Sequence, residues 1–248
     1  MLFTVRFCVN ACYGSWVQGY NMSMVTDDLK SKALQIQRTL LDKYGPPVWR
    51  NPLSPLEELV STILSQNTND VNRDRAFDGL VKSFPDWESV RDASQDKVIE
   101  AIRPAGLANQ KGPRIQQVLS QITKECGELS IDFLRDMPVE DARAWLMKFK
   151  GVGPKTAAIV LLFSLDLYAF PVDTHVYRVS GRLGLLLKKM SVDAAHTHLE
   201  HVFSERHYYD VHLNIIRLGR EVCHARKPEC LKCPLRQHCC YWKGQNQL

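Results

Sequence analysis

Apolar residues recur at helical spacing along most of the chain, and the interruptions carry the punctuation of helix ends. Over 27–44, Leu29, Ala33, Ile36, Leu40 and Leu41 line one face of a predicted helix. Tyr44-Gly45-Pro46-Pro47 stops it, because glycine leaves the backbone too free and proline removes a donor. The pattern resumes over 53–80, broken by a polar run at 65–70 in which Asn69 or Asp70 is suited to cap the next helix. A short helix pair is expected over 86–102, then a glycine turn at Ala105-Gly106 and a helix over 111–126. Residues 131–137 lead through Pro138 into a helix ending near Phe149. Further helices are expected over 156–165, 174–183, 192–203 and 210–222, with a linker over 185–190. His196, His198 and His201 are expected on a solvated face of the 192–203 helix, not as ligands. Strand alternation is hard to find and no repeat of solenoid length is visible. The fold class is therefore all-α.

The first 24 residues differ from the rest. Asn10 and Gly14 interrupt any hydrophobic signal region, so an extension ahead of a start at Met22 or Met24 is favoured, with Cys8 and Cys12 without function. The chain has 248 residues, 45% hydrophobic and 24% charged, enough for one large or two small domains with a substantial core. No apolar run reaches the length that spans a bilayer. A net charge of +5 is only weak support for a nucleic-acid partner.

Chemistry concentrates in two places. Gly151-Val152-Gly153 makes a tight turn, and Pro154 suits the first position of a new helix. Backbone N–H groups of such a hairpin and helix start can hold a phosphate, which positions a nucleic acid without reading its sequence. Lys155 falls in the first turn of that helix, beside the positive end of the dipole. Burial there would lower its pKa, as a nucleophilic amine requires. Asp173, in P-V-D-T-H-V, is placed to cap the 174–183 helix. The second place is a cysteine block: Cys223, Cys230, Cys233 and Cys239 are spaced C-x6-C-x2-C-x5-C, leaving Cys240 over. Four thiolates in one short loop suit zinc or an iron–sulfur cluster. Arg226, Lys227 and Lys232, opposed only by Glu229, give this loop a basic bias suited to phosphates.

The motifs G-V-G-P-K-T-A (151–157) and V-D-T-H-V-Y-R-V (172–179), with the cysteine spacing, resemble the endonuclease III family of helix–hairpin–helix DNA glycosylases over about 27–241. The resemblance implies two helical domains. One is a six-helix domain over 48–167 carrying the hairpin. The other joins 25–47 to 168–248 and holds the cluster. It implies Lys155 as nucleophile with Asp173 as its partner, and a [4Fe–4S] cluster on Cys223, Cys230, Cys233 and Cys239. It also implies DNA contacts from Gly151, Val152 and Gly153, a wedge at Leu107, and a base-space residue at Gln66 or Asn67, the latter by position. The implied activity is excision of damaged, oxidised pyrimidines followed by β-elimination at the abasic site. Double-stranded DNA with a damaged base or abasic site is the implied partner of a monomer, in the bacterial cytoplasm or a nucleus. The readings weighed against this are a G·T mismatch glycosylase, a non-catalytic DNA-binding module and an iron–sulfur redox carrier.

Overall fold

The structure, a computed structural model, describes residues 25–48 and 52–245; the extension over 1–24, with Cys8 and Cys12, lies outside the described residues. Among the described residues the chain is helical, with short 3-10 turns and no strand. The helices are α1 (Asp27–Tyr44), α2 (Pro55–Ser65), α3 (Asp70–Ser83), α4 (Trp87–Asp92), α5 (Gln95–Ala101) and α6 (Ala108–Cys126). They continue with α7 (Val139–Met147), α8 (Pro154–Ser164), α9 (Thr174–Leu183), α10 (Val192–Val202), α11 (Tyr208–Glu221) and α12 (Cys240–Gln245). No helix among them is long and apolar enough to cross a membrane.

Side-chain caps set several of the starts. Thr26 accepts from Leu29 N at 3.2 Å, Asn69 from Asn72 N at 2.9 Å, and Ser191 from Ala194 N at 3.1 Å. Ser54 and Glu57 form a reciprocal capping box at the head of α2. Each such cap is worth about 1 kcal/mol. α6 differs from expectation by starting at Ala108, three residues early, because Leu107 takes a left-handed conformation that turns the chain directly into the helix.

Two hydrophobic cores result. The first is continuous in sequence and packs Leu59, Ile63, Leu80, Ile115, Leu119, Leu146 and Leu161 of α2 to α8. The second joins Ala33, Ile36 and Leu40 of α1 to Phe170, Val176, Leu199, Ile215 and Leu218, far later in the chain. α8 is the wall between them: Leu161 faces the first core and Leu162 the second. A helix buried on opposite sides is apolar nearly all round, as the run from Ala157 to Phe163 is. Truncating Ile36, which is fully buried, to Ala is expected to cost about 2–5 kcal/mol.

Candidate active site

The hairpin between α7 and α8 is built around two glycines. Gly151 has φ 87°, a left-handed conformation. A β-carbon there would also stand 2.4 Å from Cδ of Arg114, so glycine is required twice over. Val152 donates to Phe149 O at 3.0 Å and buries its side chain in the first core. Its apolar group thus anchors the turn and is not on the surface. Gly153 precedes Pro154, and its carbonyl accepts the first helical bond of α8, from Ala157 N at 3.0 Å.

Lys155, in the first turn of α8, is exposed. The burial that would lower its pKa is not provided by the protein alone, because the start of α8 lies at the surface. Its surroundings are charged. Burial raises the pKa of Asp70 on α3, but the hydrogen bond and charge of Arg220, with the charges of Arg73 and Lys155, hold it below the usual carboxylate value. The Asp70–Arg220 ion pair, 2.8 Å long, links α3 of the first core to α11 of the second.

Asp173 caps α9, its Oδ1 accepting from Val176 N at 2.7 Å. The carboxylate is half-buried, and its charge and that of Lys155 both act on one buried ring, His212. Burial pushes His212 down to about 4; Asp173 and the bond to Pro171 O oppose this and Lys155 adds to it. The loop leading to Asp173 is held from below. His212 Nδ1 pairs with Pro171 O at 2.9 Å, His196 Nδ1 with Phe170 O at 3.0 Å, and Phe170 N donates to Glu200 Oε1 at 2.8 Å. His196 and His198 are therefore interior groups, 2% and 0% exposed, and the expected solvated histidine face is corrected. His198 Nε2 pairs with Leu185 O at 2.8 Å, while the part-buried His201 pairs with Thr197 O at 2.7 Å. An imidazole can satisfy a carbonyl with one N–H and bury the rest as an apolar ring.

The polar break after α2 packs beside the hairpin. Gln66 Nε2 donates to Gly151 O at 2.9 Å and its Oε1 accepts from Arg114 Nη1 at 2.9 Å. Gln66 is thus committed on both sides, whereas Asn67 is exposed with φ 54°. Leu107, also left-handed at φ 51°, is 48% exposed on the neighbouring turn.

Cys223, Cys230, Cys233 and Cys239 line one pocket, together with Arg182, Pro228, Tyr241 and Trp242 among others. Burial pushes the Cys233 thiol up to about 11, with the charges of the other three adding to it. Cys230 is raised by burial and then by Cys239 and Cys223. Among the described residues, no three His, Cys, Asp or Glu side chains close around a point as a single-ion site. Four cysteine sulfurs are a donor set that zinc and an iron–sulfur cluster both accept. Arg182 donates to Cys223 Sγ at 3.3 Å and to the carbonyls of His224 at 2.7 Å and Ala225 at 3.0 Å. Cys240 does not line this pocket; Lys32 Nζ lies 3.3 Å from its sulfur, which packs under Gly184 at the end of α9. Arg226 and Lys227 are exposed, Lys227 at φ 51°, while Lys232 is in an ion pair with Glu229.

Residues 60–205 match the family model described as the HhH-GPD superfamily base excision DNA repair protein. The chain belongs to this superfamily, among its endonuclease III-like members. It is 36% identical over 174 residues to a putative DNA glycosylase of Arabidopsis thaliana, covering 70% of this chain and 59% of that protein. It thus spans less than two thirds of that relative's length. It is 33% identical over 186 residues to an endonuclease III of Sulfolobus acidocaldarius, covering 74% and 81%. A solved endonuclease III–DNA complex superposes with a TM-score of 0.75 at 25% identity, covering 88% of this chain and 99% of that one. The HhH-GPD match ends before the cysteine block, which begins at Cys223.

Sequence reasoning missed four residues of this HhH-GPD site: Arg114, Asp70, Arg220 and His212. Asp70 and Arg220 lie 150 residues apart, and no local pattern announces their pairing. For His212 a signal was available, since it lies between Val211 and Ile215 on the buried stripe of α11.

Proposed function

We propose that the chain is a DNA glycosylase with abasic-site lyase activity, acting on double-stranded DNA that carries a damaged base, with oxidised pyrimidines as the favoured class. The observation that carries this is the exposed amine of Lys155 at the head of α8, with an Asp173 whose position is fixed by its cap on α9 and whose charge reaches the same buried ring, His212. A DNA clamp needs neither group. The two cores are read as two domains, 48–167 and 25–47 with 168–248, with the DNA bound across their junction.

In this reading the amides of the hairpin and the first turn of α8 hold a phosphate and set the register of the strand. The damaged nucleotide rotates out of the stack toward Lys155. Bound DNA would cover this exposed side chain and bring the sugar within its reach. Nζ attacks C1′ of the sugar; the glycosidic bond breaks and its electron pair leaves with the base, which takes up a proton. Asp173 stabilises the positive charge that develops on the sugar. The added nitrogen gives up a proton; its lone pair then breaks the C1′–O4′ bond, the ring oxygen takes up a proton, and the sugar opens to a protonated imine. The imine acidifies C2′–H; removal of that proton expels the 3′ phosphate, and water then releases the lysine.

The cysteine pocket fits a [4Fe–4S] cluster held by Cys223, Cys230, Cys233 and Cys239. Bound there, the cluster would supply the positive charge the thiolates need and cross-link the last loop. Borohydride reduction of a reacting mixture tests the proposal: it should join protein to DNA covalently through Lys155, and no link should form with Lys155→Gln.

A further inference from the structure

α6 carries, near its start, a lysine with no carboxylate partner. Lys111 is 1% exposed, and its Nζ donates to Leu64 O at 2.7 Å and to Ala105 O at 2.8 Å. Removing an ammonium from water is costly, and an apolar side chain of equal length would fill the space without that cost. The two acceptors indicate where the charge acts. Leu64 is the penultimate residue of α2, and Ala105 ends the 3-10 turn Arg103–Ala105. Carbonyls at helix ends lack intrahelical partners and attract cations.

The two segments held in this way end alike. Three residues after Leu64, Asn67 has φ 54°; two residues after Ala105, Leu107 has φ 51°. A left-handed residue other than glycine costs about 1 kcal/mol or more, and it persists only where its surroundings dictate it. Burial does not offset the strain at Leu107, which is 48% exposed. Lys111 is the shared neighbour of both tips, and its own N–H also donates to Leu107 O at 3.0 Å.

We propose that Lys111 is a positioning residue. Its buried ammonium clamps the turns at 65–69 and 103–107 into one rigid, two-pronged edge that enters the DNA stack as a unit and holds the helix open around the extruded nucleotide. This rests on the glycosylase and lyase reading above and deepens it. Lys111 touches neither DNA nor reacting atoms, so its loss acts on the opened duplex and not on the imine chemistry at Lys155.

The test compares two substrates with the full-length protein. One is a duplex with an abasic site opposite 2-aminopurine, whose fluorescence rises when it is unstacked. The other is a single strand with the same abasic site, which needs no opening. Lys111→Met keeps the length and removes the donor; Lys111→Gln keeps an N–H pair at shorter reach, and carries the same comparison should the methionine variant not fold. Failure of the wild type to form a borohydride-trapped link on either substrate would sink the lyase reading itself, whatever Lys111 does. With that link present, Lys111→Met is expected to lose roughly 10–100-fold in single-turnover cleavage of the duplex. It should also lose the fluorescence rise, while trapping on the single strand stays within about twofold of wild type. Lys111→Gln should fall between. Wild-type duplex cleavage and fluorescence in either folded variant, or equal losses on both substrates, overturn the proposal.

Discussion

Arg143 of α7 and Glu200 of α10 form an ion pair at 2.6 Å across the junction of the two cores, with side chains 12% and 13% exposed. The same carboxylate oxygen accepts the amide of Phe170, three residues before Asp173. The pair therefore joins the cores and also supports the loop that delivers the proposed catalytic carboxylate. Burial raises the Glu200 pKa against the pull of Arg143, so the charge is held at a cost. Removing Arg143 alone would strand that charge. Arg143→Met is expected to lower stability by about 3–5 kcal/mol, and Arg143→Met/Glu200→Gln to recover part of the loss. Denaturant unfolding of the three variants checks this.

Acid should weaken the fold ahead of ordinary carboxylate titration. Burial lowers His196 from 6.5 to about 4, opposed by its bond to Phe170 O, with Arg143 and His212 lowering it further and Asp193 opposing. His212 is lowered in the same direction. Both are neutral when folded, so the unfolded chain binds more protons as pH falls below about 6.5. Stability is full above that value and is lost progressively toward pH 4, by roughly 2 kcal/mol from His196 at pH 5. Melting temperatures at pH 7 and pH 5 measure the loss, and His196→Asn should narrow the difference.

Asp173 can be separated into its two roles. Asp173→Asn keeps a side-chain oxygen for Val176 N and should leave the melting temperature nearly unchanged, because Asn caps about as well as Asp. Single-turnover base excision should nonetheless slow by about tenfold or more. Asp173→Ala should lose excision and also about 1 kcal/mol of stability. Equal excision by Asp173→Asn and wild type would leave the carboxylate a cap and nothing else.

Protein purified without oxygen is expected to be yellow-brown and to carry about four iron and four sulfide per chain. Cys230→Ser should lose the colour, whereas Cys240→Ser should keep it, since that sulfur packs on Gly184 and Lys32 outside the pocket. Stoichiometric zinc without sulfide would exclude the cluster.

DNA affinity should fall linearly on a log–log salt plot. Lys227→Ala should reduce the slope by about one unit if this exposed residue meets a phosphate. Lys232→Ala should reduce it less, because its charge is already shared with Glu229.

The amphipathic helices were legible where the apolar stripe was uninterrupted: Asp27–Tyr44 and Thr174–Leu183 fall where the spacing placed them. The start of α6 was not, since the apolar pattern begins near Ile115 and the handedness of Leu107 leaves no trace in residue type. His196 was misplaced because histidine counts as polar by habit, although it shares a stripe with Leu199 and Phe203. Lys111 was invisible for the same reason: only the packed structure supplies two carbonyls in place of water. Within the candidate site, the cap made by Asp173 was legible in P-V-D-T-H-V, whereas the exposure of Lys155 at the head of α8 was not, since both faces of that helix look apolar in sequence.

The discontinuous second core has a consequence for how the chain is made. α1 leaves the ribosome before the other described helices, yet the surfaces that cover Ile36 and Leu40 belong to α8 and later helices. The first core can close during synthesis, being drawn from one continuous stretch. α1 must meanwhile wait as an exposed amphipathic segment until its partners emerge, and that contact closes a long loop late. A stalled chain ending after α8 would thus present a folded first core trailing an unburied helix, a natural target for chaperones and proteases.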